Sequence, residues 1–297
     1  MLTRLGLATV LALLTTTDAF AQTMRFTTSV GTFDMELNPT NDPNLQPLVD
    51  NMVAYIGLGR YGHTAIVRAA EAGPGTADDF VLQMGEFLGF PSTPNNFIGL
   101  RQEVQDLLPV IVDRTGGANG GADGRADFTT LSNTRGRVSL ALSGGNINSG
   151  TSTFFINLGD NSRLDAQGFV PFARVDDLTT VERIMALNNI DLDGAGPAGS
   201  FDDVPLLENG QLVILHSVHV LEADPGFSFV GPILDALTRQ AAAAPSNTVG
   251  APSSSAALEA GSASSASQAA VPEPSTILLG LAGGIGVLAV SRRRVAR

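Results

Sequence analysis

The sequence predicts a mainly β protein, a closed eight-stranded antiparallel barrel capped by two helices. Three observations carry that expectation: eight short segments read as strands, two apolar stripes at helical spacing lie one early and one late, and 43% of the residues are apolar. Closing eight strands on themselves removes exposed sheet edges, and a helix can cover each end. Periodicity alone is equally compatible with an open α+β sheet.

The elements follow in order. Residues 25–30 and 33–37 flank Gly31-Thr32, and Phe33, Met35 and Leu37 alternate with Asp34 and Glu36. That pattern is a hairpin with one wet face. Leu45, Leu48, Val49, Met52, Val53 and Ile56 then recur at helical spacing, with Pro43 before them and Gly57 and Gly59 after. They form one apolar stripe between a start and a stop signal. Further strands are predicted at 64–68, 80–84, 138–141, 154–157, 170–175 and 213–220. A second helix at 178–186 follows Asp176 and Asp177, candidate N-caps, and buries Leu178, Val181, Ile184 and Met185.

Composition excludes several chemistries. The chain has no Cys, and all 17 basic residues are Arg, so thiolate and lysine chemistry are absent. A net charge of −12 argues against nucleic acid as a partner, because phosphate contacts need a basic face. His216 and His219, three apart on a strand, point to opposite faces and cannot share a metal. A Ser-His-Asp hydrolase lacks a Gly-x-Ser-x-Gly elbow here. Asp113, Asn119, Asp123 and Asp127 form one acidic loop and Asp191 and Asp193 another, but neither has EF-hand spacing, so solvated loop charge is the expectation. No metal site and no cofactor are expected.

Both ends read as addresses. Residues 1–21 place Arg4 before an apolar stretch and end on Ala19-Phe20-Ala21, the pattern of a secretory signal peptide. The body spans 24–223, with an extension at 224–240. Residues 241–270 are mostly Ala, Ser, Gly and Pro and read as a linker. At 271–297, Pro272-Glu273-Pro274 opens an apolar run at 277–290, closed by Arg292-Arg293-Arg294. The run rises about 21 Å as a helix, short of a hydrocarbon core of roughly 30 Å, yet flanking residues and snorkelling Arg extend its reach. This three-part ending resembles the PEP-CTERM sorting tail. The resemblance implies a Gram-negative bacterium, an exosortase-type sorting enzyme as partner, and transient inner-membrane anchoring by this segment alone. Export to the periplasm, and then to the outer surface or extracellular matrix, is the expected itinerary.

In the body, Thr151-Ser152-Thr153-Phe154-Phe155-Ile156-Asn157-Leu158, Arg163-Leu164-Asp165 and Phe172-Ala173-Arg174-Val175 occur in that order. With Thr28-Ser29-Val30-Gly31-Thr32-Phe33, Val138-Ser139-Leu140-Ala141 and Val204-Pro205-Leu206, they resemble the cyclophilin-type peptidyl-prolyl isomerases over roughly 200 residues. The resemblance implies the eight-stranded barrel, an isomerase groove on one face and proline-containing polypeptides as substrates. Arg68 in Ile66-Val67-Arg68 matches the family's catalytic Arg. In Phe80-Val81-Leu82-Gln83-Met84-Gly85, Gln83 matches the residue that hydrogen-bonds substrate backbone, while Phe80 and Val81 match walls of the proline cup. Ala141, Phe155 and Leu164 match the remaining apolar lining.

Departures from the family pattern are specific. Eleven residues, 69–79, separate Arg68 from Phe80, where the family has a shorter connection. Thr153 stands where Gln is common, Phe169 near a position often filled by His, Leu142 for a common Asn and Arg163 for a Trp. Two functional expectations result: an exported isomerase with Arg68 as its catalytic cation, or a catalytically weak module that binds Pro-containing segments.

Overall fold

The computed structural model describes residues 22–71, 78–89, 102–115, 122–192, 201 and 203–244. The segment read as a signal peptide and the tail at 271–297 lie outside these residues, as does the linker beyond residue 244. Among the described residues no helix is long and apolar enough to cross a membrane.

The strands are β1 (Gln22–Thr28), β2 (Thr32–Leu37), β3 (Thr64–Glu71), β4 (Asp79–Leu88), β5 (Gln102–Glu103), β6 (Arg137–Leu140), β7 (Phe154–Asn157), β8 (Pro171–Arg174), β9 (Asn188–Ile190), β10 (Val204–Leu206) and β11 (Ile214–Glu222). The main sheet runs β3-β11-β1-β2-β8-β6-β7-β4, and β4 pairs back onto β3, closing an eight-stranded barrel. Every pairing in the ring is antiparallel. These are the eight predicted strands. Closure decides between the barrel and the open sheet, and it is a tertiary event that no single strand encodes.

Alternation sends one face of each strand inward. Phe26 and Phe33 are cross-strand partners on β1 and β2, and their rings stack at 5.0 Å. Phe154 meets Phe26 edge-on at 5.8 Å, and Leu82, Met84, Ile156 and Phe172, all fully buried, fill the same core. Outside, Arg25 pairs with Asp34 at 2.8 Å on the wet face of the first hairpin.

Helix α1 (Gln46–Gly57) follows a 3-10 turn at Pro43–Leu45, where the Asp42 carboxylate accepts from the Asn44 N–H. It buries the predicted stripe against the barrel. Buried Asn51 on this helix donates to the Thr151 carbonyl at 2.8 Å. Helix α2 (Thr179–Met185) starts where Asp177 accepts from the Thr179 N–H at 2.9 Å; Asp176 instead lies 3.4 Å from Arg174.

Besides the two-residue strand β5, which pairs with β4, two features went unpredicted. Strands β9 and β10 pair into a small two-stranded sheet. Helix α3 (Val230–Ala243) packs on α1, with Phe229 and Ile233 over Gly57 and Ala236 buried. Its last residues enter the Ala-rich run read as linker from 241. An Ala-rich segment is a good helix former once one face has something to pack against.

Candidate active site

Between Arg68 and Phe80 the two strands take up part of the long connection. Strand β3 continues to Glu71 and β4 begins at Asp79, so only 72–78 lie between the two strands. Arg68 stands opposite Gln83, Ala69 opposite Leu82 and Ala70 opposite Val81, a stretch in constant register bounded by shifts between Ile66 and Arg68 and between Ala70 and Glu71. A strand pair keeps its facing residues as long as its register holds, whatever is added at the turn.

The register continues across the wall. Gln83 on β4 faces Phe155 on β7, and Phe155 faces Ser139 on β6. Arg68, Gln83, Phe155 and Ser139 therefore form one row across four adjacent strands. Their neighbours Leu82, Ile156 and Val138 belong to the barrel interior, so the row lies on its outer face. Arg68 is 1% exposed and Gln83 2%. The Gln83 Oε1 is buried and, among the described residues, accepts no hydrogen bond, an unspent acceptor in the wall.

Beside the row sits an apolar cluster separate from the barrel core: Ala70, Phe80, Val81, Ala141, Leu142 and Phe155, closed by Leu164 and Phe169. It brings together all six apolar residues singled out from the sequence. Phe155 and Phe169 meet edge to face at 5.5 Å. Phe80, Val81, Phe155 and Leu164 are fully buried. Thr153 is buried two residues before Phe155, on the same side of the chain, and its carbonyl accepts from the Ala141 N–H at 2.8 Å. Sequence reasoning missed Ala70, because the segment after Arg68 reads as loop when the continuation of β3 is not seen.

Phe80 carries a cation on its face. The Arg163 guanidinium carbon lies 4.7 Å from the ring centroid. Burial against the ring draws the Arg163 pKa down, and Asp160 pulls it the other way. Behind the cluster, three buried amides tie the walls together. Asn161 donates to the Phe80 carbonyl at 2.9 Å and to Asn157 Oδ1 at 3.0 Å. Asn157 donates to Asn133 Oδ1, and Asn133 donates to the Phe169 carbonyl and to Asp165. No periodicity marks these three residues, so the sequence offered no signal for them.

The acidic loop uses its carboxylates on the backbone. Asp113 accepts from the N–H groups of Asp123 and Gly124, and Asp127 from those of Arg114 and Thr115.

A family model described as cyclophilin type peptidyl-prolyl cis-trans isomerase/CLD matches residues 23–205, more than half of the chain. The chain belongs to the cyclophilin-type peptidyl-prolyl cis-trans isomerases. Beyond that match, β11 at Ile214–Glu222 pairs with both β1 and β3 in the barrel. A second model, the PEP-CTERM protein-sorting motif, matches residues 270–295. Among solved structures, a cyclophilin-type peptidyl-prolyl cis-trans isomerase of Cryptosporidium parvum is 16% identical, covering 69% of this chain and 100% of its own, at a TM-score of 0.42. A structure of the same protein in the presence of the dipeptide Ala-Pro is 17% identical, covering 68% and 99%, at 0.41. No match is found among curated proteins.

Proposed function

We propose that the protein is an exported isomerase that accelerates X-Pro rotation in secreted or surface polypeptides, with Arg68 as its catalytic cation. The observation that carries this reading is the row Arg68, Gln83 and Phe155 on adjacent strands, flanked by a separate apolar cluster. Rotation about an X-Pro amide is slow because the nitrogen lone pair is shared with the carbonyl, a barrier of about 20 kcal/mol. A guanidinium that donates to the prolyl nitrogen stabilises the twisted state, where that lone pair is localised. Arg suits this role because it stays charged and presents fixed planar donors. The low-dielectric wall around Arg68 strengthens the interaction. Gln83 Oε1 would accept from a substrate backbone N–H, and Phe80, Val81, Ala141, Phe155, Leu164 and Phe169 would hold the ring, with Thr153 at the rim. All of this acts through transition-state complementarity, without proton transfer. The sorting motif supports a site of action outside the cytoplasm, with exosortase-type processing of the tail.

One observation favours the second reading, a module that grips Pro-containing segments with little turnover. The cluster is closed, with Phe80, Val81, Phe155 and Leu164 at 0% exposure. The test is prolyl-isomerase activity of the full chain on a short proline peptide, beside Arg68→Ala. The isomerase reading expects acceleration that falls at least about 100-fold in the variant. A folded wild type that binds the peptide without accelerating its isomerisation establishes the binding module instead.

A further inference from the structure

A cavity of about 460 Å³ opens beside the apolar cluster and shares a wall with it. Phe169 belongs to both, and Asp165, in its lining, directly follows Leu164 of the cluster. The floor is apolar, from Phe128, Phe169 and Val170, and the rim carries Arg125, Thr129 and Thr130. Its volume is that of a ligand site.

The polar groups around this cavity divide into spent and unspent. Asp165 is spent: its Oδ1 accepts from the N–H and the side-chain amide of Asn133, both at 2.8 Å, and its Oδ2 accepts from the Ser132 hydroxyl at 2.6 Å. Asp123 and Asp127, near Arg125 in sequence, accept from backbone N–H groups. By contrast, among the described residues nothing hydrogen-bonds the Arg125 guanidinium or the Thr129 and Thr130 hydroxyls; Arg125 takes part only through its backbone N–H. Arg125 is the cation of the rim, the Thr129 and Thr130 hydroxyls can donate or accept, and the Asp165 carboxylate in the lining already accepts three hydrogen bonds from Ser132 and Asn133. A guanidinium at the rim of an apolar floor, with two hydroxyls able to donate beside it, fits a carboxylate on a short aliphatic stem.

Resting on the reading of the cluster as a proline cup, we infer that this cavity is a second subsite, taking an acidic side chain of the same polypeptide whose proline occupies the cup. Phe169 would then separate the two side chains, and Arg125 would set the preference for Asp or Glu at one position near the proline. Arg125 is exposed, so its replacement leaves the fold intact.

The experiment measures binding of fluorescein-labelled peptides to the full chain by anisotropy in low-salt buffer. The set holds one neutral proline peptide, versions with Glu at each of the three positions on either side of the proline, and the same versions with Ala for proline. One Glu register is expected to bind about three- to fivefold more tightly than the neutral peptide, with the gain shrinking as salt rises. Arg125→Ala should remove that gain and leave the neutral peptide unchanged, whereas Arg125→Lys should keep part of it. Equal binding of neutral and acidic proline peptides overturns the subsite and leaves the proline cup standing. If no proline peptide binds, the cup falls, and the Ala versions decide the cavity: Arg125-dependent binding of one Glu register supports it, and its absence overturns it.

Discussion

The side-chain amide of Asn161 donates to the backbone carbonyl of Phe80 at 2.9 Å. That bond ties a wall of the apolar cluster, on β4, to the turn that carries Leu164. Through Asn157 and Asn133 the same chain reaches the carbonyl of Phe169 on the opposite wall. The cluster thus owes its shape to a polar network behind it as well as to apolar packing in front.

Asn133 is fully buried and accepts from Ser139 at 2.8 Å and from Asn157 at 3.2 Å while donating to Asp165 and Phe169. Asn133→Ala leaves several of these partners unsatisfied in a low-dielectric site. The expected loss is about 2–3 kcal/mol of folding stability in urea denaturation, with weaker proline-peptide binding as the two walls loosen. A variant as stable as the wild type would show that the network is dispensable.

Gly85 follows the predicted site strand at φ +97°, a conformation that residues with a Cβ rarely adopt. A Cβ built there would stand 2.8 Å from the Ser152 carbonyl oxygen and 2.9 Å from the Tyr61 ring. Gly85→Ala adds a clash with backbone to the strain in φ. It should cost about 2–4 kcal/mol, read as a lower denaturation midpoint at unchanged slope. Gly59, at φ +69° with open space around it, is the control, and Gly59→Ala should cost about 1 kcal/mol.

Glu86, next along β4, has its pKa raised to about 8 by burial, with Glu103 and Asp106 adding repulsion. In the unfolded chain the same carboxyl titrates near 4.5. Between these values the native state holds the proton more tightly than the unfolded state, so stability falls as pH rises from 4.5 to about 8. At about 1.4 kcal/mol for each pH unit of that window, the full loss is roughly 4–5 kcal/mol. Glu86→Gln should flatten the profile and exceed the wild type in stability above pH 8. An unchanged profile would show that Glu86 is ionised in the native state at neutral pH.

Alternation and helical spacing are local properties, and they are where the sequence was most legible. The wet and dry faces of β1 and β2, the apolar stripe of α1 and the strands around Gln83 and Phe155 follow from side chains that sort between water and core whatever their neighbours are. The apolar members of the candidate site were legible for a related reason, since each lies within or directly beside an ordered element at a motif position. Helix α3 was not, because its helicity depends on α1 offering Gly57 as a seat for Phe229 and Ile233. The amide chain of Asn133, Asn157 and Asn161 was hidden too, because it joins residues up to 81 positions apart, as Asn161 to Phe80. The sequence by itself determined which residues face the core, and the family to which the chain belongs. Tertiary structure alone decided that β3 pairs with β4 to close the barrel, that Arg68 stands opposite Gln83 despite the long connection that follows it, and that Phe169 divides the cluster from a cavity rimmed by Arg125. Each of these depends on contacts between distant segments, and contacts of that kind leave no periodic trace in the chain.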